Sequence, residues 1–210
     1  MQKAISYLFS VHIPLAGVAL IPIIIGLPPV LYPVHIAFLE FIIDPACSTV
    51  FENEQSEEGI MKRPPRNIKQ PLFDRSHILI GLLDGLLITF TILFVYIVST
   101  NLQKDEFIAR SVAFVTMVLC NLALIFANLS KESLFEKFVF HKNKALYLIT
   151  AVVLTSMFSL VYVPFLSDIF RMRYLNVLDL LFVLSATFIC YILLEFLKLF
   201  RVNGQYKFRR

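Results

Sequence analysis

The apolar residues of this chain are gathered into six long runs, and this feature constrains its fold more than any other. A helix needs about 20 mostly apolar residues to cross the hydrocarbon core of a bilayer. Hydrophobic residues make up 58% of the sequence, which is more than a water-soluble domain of this size normally carries. We therefore predict an all-α membrane protein, a bundle of six transmembrane helices with no soluble domain, with spans at about 4–26, 30–50, 77–99, 108–128, 145–166 and 175–198.

The distribution of positive charge predicts the orientation of the bundle. Of the 19 Lys and Arg residues, 15 lie at the termini or in the second and fourth connections between spans. Cytoplasmic loops carry such an excess, so both termini and the polar connection at 51–76 are predicted to be cytoplasmic. Because these charges flank apolar runs, they indicate a lipid bilayer as the partner and not a nucleic acid. The opposite side has only Lys104, Arg110, Arg171 and Arg173.

Two carboxylates lie inside the second predicted span, at Glu40 and Asp44. A charged residue at the centre of a membrane helix costs roughly 2.5–3.5 kcal/mol on insertion scales, so two together indicate a function. Their i, i+4 spacing places both on one helix face, and Pro45 removes a backbone donor and frees nearby carbonyls. Oxygen ligands of this kind suit a hard cation. The alternative is a structural pair that is protonated or bonded to a neighbouring helix.

Two histidines lie in the same region of the sequence. His12, in the first span, is two residues before Pro14, and the tight turn between the first two spans could bring it close to Glu40 or Asp44. It is interpreted either as a polar member of the same pathway or as a histidine at the membrane interface. His35 lies near the outer end of the second span, where an interfacial position is expected.

The remaining polar residues of the spans are predicted to serve packing. Gly81 and Gly85 have the GxxxG spacing that permits close approach of two helices. Asp84, between them, is expected to be hydrogen-bonded or to extend towards the membrane surface. Asn121 and Asn128 are expected to hydrogen-bond between helices, and Glu195 and Lys198 to form a local ion pair. The odd number of separated cysteines (Cys47, Cys120 and Cys190) predicts buried thiols.

Three segments resemble a known family. ISYLFSVHIP at 5–14, GLPPVLYPVHIAFLEFIIDPACSTVFENE at 26–54 and GIMKRPPR at 59–66 are similar to the C-terminal membrane half of P-type cation-transporting ATPases. In that family the fifth and sixth transmembrane helices are followed by a cytoplasmic loop with a similar MxRPPR motif, and four more helices follow. The resemblance therefore implies that 1–210 is one such domain, and that its six spans are the fifth to tenth helices.

The resemblance also implies roles for the site residues. Asp44 matches the ion-binding aspartate of the sixth helix, and Glu40 is one turn earlier. His12 lies where calcium pumps of the reticulum type have an asparagine. Leu15 and Val118 replace two glutamates of those pumps, which argues for one ion per cycle. The implied cargo is a cation, with Ca²⁺ first and manganese, a monovalent cation or protons as alternatives.

The sequence lacks the motifs with which such pumps use ATP. It contains no DKTG, TGE or GDGxND segment. The chain alone is therefore expected not to be catalytic, and to need the catalytic cytoplasmic domains and first four helices of a pump, on the same or a separate chain. ATP and Mg²⁺ would act only in the complete pump. The alternative is a stand-alone six-helix channel or regulatory subunit, and a bacterial plasma membrane is the expected location.

Overall fold

The computed structural model describes residues 2–43, 49–50, 52, 75–102, 105–129 and 144–207. Within these ranges the chain is helical and contains no strand. The helices are α1 (Gln2–Ile24), α2 (Pro33–Phe38), a π-helical segment (Leu39–Ile43), α3 (Arg75–Asn101), α4 (Glu106–Leu129), α5 (Lys144–Tyr162), α6 (Pro164–Ile169) and α7 (Val177–Lys207).

Five of the described helices, namely α1, α3, α4, α5 and α7, are long and apolar enough to cross a membrane. They coincide with the first, third, fourth, fifth and sixth predicted spans. The second predicted span, 30–50, is described through Ile43 as α2 and the π-helical segment. Residues 44–48 of that span, and 53–74 of the connection after it, lie outside the described residues.

Helix α4 is the centre of the bundle. In the membrane-length segment of α4, 89% of the residues are buried. In the corresponding segments of α5 and α7, only 22% of the residues are buried. Its neighbours are α3 and α7, and α1 also contacts it. The outward-facing side chains of α5 and α7 are largely apolar, as expected where lipid is the solvent.

Helix α1 packs closely along α3, and proline and glycine explain how. Helix α1 continues through Pro14, which has no N–H to bond the Ser10 carbonyl. A Cβ atom added to Gly85 would lie 3.0 Å from that carbonyl oxygen and 2.7 Å from Ile13 Cβ. The absence of a side chain at Gly85 therefore lets the two backbones meet. This confirms the packing role predicted for Gly85.

The turn after α1 is produced by a glycine. Gly26 has a φ of +80°, a left-handed conformation that ends helices and favours glycine. The Leu27 N–H donates to the Pro22 carbonyl at 2.8 Å, which closes this end of α1. Tyr32 is extended, and Pro33 then starts α2 with its fixed φ and missing donor. The predicted tight connection between the first two spans is confirmed.

The fifth predicted span, 145–166, is broken in the structure. Helix α5 ends at Tyr162, and α6 begins at Pro164. Val163 has φ −86° and ψ 116°, because proline disfavours the helical conformation of the residue before it. The prediction of one helix through 166 is therefore wrong at this end.

Candidate cation site

The structure brings together two of the three predicted site residues. His12 Nε2 on α1 lies 3.9 Å from Glu40 Oε1 on the π-helical segment. Their side chains are 51% and 41% exposed, so the pair lies at the surface of the described bundle. The tight turn after α1 places these residues, 28 positions apart in the sequence, side by side.

The hydrogen bonding of His12 determines what it presents to Glu40. Its Nδ1 lies 2.8 Å from the Leu8 carbonyl oxygen, which can only accept, so Nδ1 carries the proton. In neutral His12 the other nitrogen, Nε2, then has its lone pair available. A separation of 3.9 Å is too long for a direct hydrogen bond. Two electron-pair donors from separate helices therefore flank a gap that a cation could bridge, since cation–oxygen distances are about 2.3–2.6 Å for Ca²⁺.

Glu40 belongs to a π-helical segment, Leu39–Ile43. Such wider turns are rare and frequently occur at functional sites. They rotate the residues that follow, and their backbone carbonyls accept from the N–H five residues on instead of four. Glu40 therefore lies on a turn whose geometry differs from that of an α-helix.

Asp44, the third predicted site residue, lies outside the described residues. Within the part of the chain that the structure describes, no group of three or more His, Cys, Asp or Glu side chains is arranged to hold a metal ion. Elsewhere, on α4, Asn121 is only 1% exposed and its Oδ1 has no hydrogen-bonding partner among the described residues. A buried oxygen without a partner is costly.

His35 is not the interfacial residue that the sequence predicts. Its side chain is fully buried and packs against the rings of Phe114 and Phe170. Nδ1 accepts the Tyr32 N–H at 2.8 Å, and Nε2 donates to the Phe170 carbonyl at 2.8 Å. The histidine therefore connects the start of α2 to the α6–α7 connection.

Three other polar predictions have different outcomes. Asp84 is buried, with polar or charged partners, and does not extend to the surface. Asn128 donates to the Leu124 carbonyl of its own helix at 2.9 Å, and among the described residues it makes no hydrogen bond to another helix. The predicted pair of Glu195 and Lys198 is confirmed at 3.9 Å. Lys198 also donates to the Ala127 carbonyl at 2.9 Å, which connects α7 to the end of α4.

The comparisons with known proteins place this architecture in a family. Residues 28–200 match the model of the cation transporting ATPase C-terminus. The chain belongs to the cation-transporting ATPase C-terminal family. It is a multi-pass membrane domain, and its predicted family resemblance is confirmed.

Two curated relatives align with this ATPase C-terminal domain. A calcium-transporting ATPase of Bacillus subtilis (strain 168) is 29% identical over 174 residues, and calcium-transporting ATPase 1 of Lactococcus lactis subsp. lactis (strain IL1403) is 25% identical over 171 residues. In each case the alignment covers 81% of this chain and 19% of the relative. The chain therefore spans about a fifth of the length of these relatives.

Sequence reasoning missed the burial of Arg110 in this domain. Charge counting treats Arg110 only as a marker of topology. It is nevertheless 1% exposed, inside α4. A charged residue inside a predicted span was the signal that could have identified it, since such residues are costly and usually have specific partners.

Proposed function

We propose that this chain is the ion-pathway membrane domain of a P-type cation-transporting ATPase, and that Glu40 and Asp44 contribute carboxylates to its cation site. The observation that carries the proposal is the approach of His12 to Glu40 across two segments, at a π-helical turn. His12 is the third proposed member of the site. Since His12 and Glu40 are about half exposed on the described bundle, ligands from other helices can complete the site.

The proposed transport cycle depends on parts of a pump that this chain would need as partners. These are the catalytic cytoplasmic domains and the first four transmembrane helices, on the same or a separate chain. ATP and Mg²⁺ would act in the catalytic domains, and phosphorylation there would switch access to the site between the two faces of the membrane. The positive charge at both termini favours their placement in the cytoplasm, and a bacterial plasma membrane is the proposed location.

Calcium is the proposed cargo. Two relatives are calcium-transporting ATPases, and carboxylates suit this ion. The imidazole of His12 is a softer ligand, of a type preferred by first-row transition metals. The proposed site therefore also admits Mn²⁺.

The first test removes one carboxylate charge at a time. Glu40→Gln and Asp44→Asn should each weaken Ca²⁺ binding by about 100-fold or more, because loss of even an indirect partner of a metal ligand costs about 10–100-fold. Binding is measured with radioactive calcium on a complete pump that contains this domain, purified in lipid nanodiscs. Calcium-dependent phosphoenzyme formation is measured in a complete pump that contains this domain.

The matched control for this test is Glu195→Gln, a carboxylate on α7 that pairs with Lys198. It should bind calcium like the unaltered chain. Unchanged calcium binding in both Glu40→Gln and Asp44→Asn would contradict the assignment of the site. Passive calcium flux through liposomes that contain this chain alone would instead favour a channel.

A second test concerns the choice of ion. His12→Asn replaces a nitrogen ligand with an amide oxygen, so the Mn²⁺ affinity should fall by about tenfold relative to that for Ca²⁺, as expected for ligand softness. Competition between the two ions for the complete pump in nanodiscs measures this ratio. An unchanged ratio would exclude His12 from the site.

A further inference from the structure

Arg110 is the most extensively bonded buried side chain described in this domain. Its Nε and Nη2 both donate to the Pro29 carbonyl at 3.3 Å, and Nη1 donates to the Arg171 carbonyl at 3.0 Å. Nη2 also contacts the Tyr32 hydroxyl and the Glu106 carboxylate. All three nitrogens of the guanidinium are thus bonded. A buried guanidinium without such partners would be strongly unfavourable.

These partners come from three separate parts of the chain. Pro29 and Tyr32 belong to the α1–α2 turn, Glu106 to the start of α4, and Arg171 to the α6–α7 connection. Arg171 has a φ of +49°, a strained conformation for a residue with a side chain. Such strain persists only where surrounding structure holds it. Here it accompanies a carbonyl that accepts from Arg110.

A short path connects Arg110 to the candidate cation site. The guanidinium lies over the Tyr32 ring at 4.6 Å, and Tyr32 immediately precedes α2. Helix α2 continues directly into the π-helical segment that carries Glu40. Pro29 belongs to the turn that joins this unit to α1, the helix of His12. Arg110 therefore holds the connection through which both members of the His12–Glu40 pair are placed.

We propose that Arg110 is a positioning residue, which sets the separation of His12 and Glu40 by holding the α1–α2 turn against α4. The inference concerns geometry, and only its consequence for cation binding rests on the proposed function. Since α2 and the π-helical segment are continuous, a shift at Tyr32 moves Glu40 along with it. His35 supports the same arrangement, because it joins α2 to the Phe170 carbonyl at 2.8 Å.

The test measures the 12–40 separation directly. In the full chain, with the three native cysteines replaced by serine, His12→Cys and Glu40→Cys are joined with a short bifunctional maleimide. We expect Arg110→Gln to slow this crosslink by about tenfold. In a complete pump that contains this domain with native His12 and Glu40, Arg110→Gln should weaken calcium binding by about 10–100-fold, the usual effect of losing a partner that orients a metal ligand.

The matched control is Lys198→Gln, which removes another cation-to-carbonyl link to α4, at the end remote from the α1–α2 turn. It should leave the crosslinking rate unchanged. Folding is checked separately in chains with native cysteines by the protection of Cys120 and Cys190, both buried, from alkylation. If Arg110→Gln fails that check, Arg110→Lys, which keeps the charge without the forked geometry, takes its place.

A crosslinking rate that the folded Arg110 variant leaves unchanged would overturn the positioning role. Equal slowing by Lys198→Gln would overturn it too, because the effect would then be general loosening of the bundle. Slow crosslinking only in the Arg110 variant supports the role. If, in that case, a complete pump that contains the unaltered domain binds no calcium, the proposed cation site fails and the positioning role of Arg110 stands.

Discussion

Replacement of Gly85 by leucine should push α1 and α3 apart and cost about 3 kcal/mol or more of unfolding free energy. Even the first added atom, Cβ, would lie 2.7 Å from Ile13 Cβ and 3.0 Å from the Ser10 carbonyl oxygen. The Ser10 oxygen is part of the backbone and cannot rotate away, so the helices have to separate. Overpacking in well-packed interiors costs about 1–3 kcal/mol, and more where backbones have to move. Unfolding in mixed detergent micelles measures the loss.

The control for the glycine prediction is Ala16→Leu on α1, at an exposed position. It adds the same side chain type without a clash and should change the unfolding free energy by less than about 0.5 kcal/mol. The unfolding free energy of Gly85→Ala should lie between those of the two leucine variants. If Gly85→Leu is as stable as Ala16→Leu, the close approach of α1 and α3 at Gly85 is incorrect.

Replacement of His35 by leucine should have the second large effect on stability, a loss of about 2–4 kcal/mol. The substitution keeps an apolar side chain against Phe114 and Phe170 but leaves the Tyr32 N–H and the Phe170 carbonyl without their partner. Each unsatisfied buried group costs about 1–3 kcal/mol, and the Tyr32 end is only partly buried. The same unfolding measurement in mixed micelles tests this.

Two further variants separate the two hydrogen bonds of His35. The oxygen of asparagine replaces Nδ1 and retains the acceptor for the Tyr32 N–H, whereas the longer amide of glutamine can replace Nε2 and donate to the Phe170 carbonyl. His35→Asn and His35→Gln should therefore each be more stable than His35→Leu. If all three variants are equally stable, the hydrogen bonds of His35 do not contribute to the fold.

Most of the membrane architecture could be predicted from the sequence, because the length and composition of a span are local properties. The predicted spans at 4–26, 77–99, 108–128 and 175–198 agree with α1, α3, α4 and α7 within a few residues, apart from the longer end of α7. The break in the helix at Val163 could also have been predicted, since Pro164 follows it. Proline at that position favours an extended conformation, but apolar composition alone does not reveal a kink.

The candidate site could be predicted only in part. Two acids in an apolar run identify Glu40 and Asp44 as unusual, and the tight turn makes a neighbour on α1 reasonable. The orientation of Glu40 depends on the π-helical turn at Leu39–Ile43. No residue pattern in that segment predicts this turn. The 3.9 Å approach of Glu40 to His12 follows from this turn together with the packing of α1.

By itself the sequence determined that the chain spans a membrane several times and that Gly85 lies at a helix contact, because lipid selects for long apolar runs and for small residues at interfaces. Only the tertiary structure decided the partners of the buried polar groups. Arg110 and His35 bond carbonyls 61 to 135 residues away. Any backbone carbonyl can accept such bonds whatever its side chain, so no residue type marks the acceptors in the sequence.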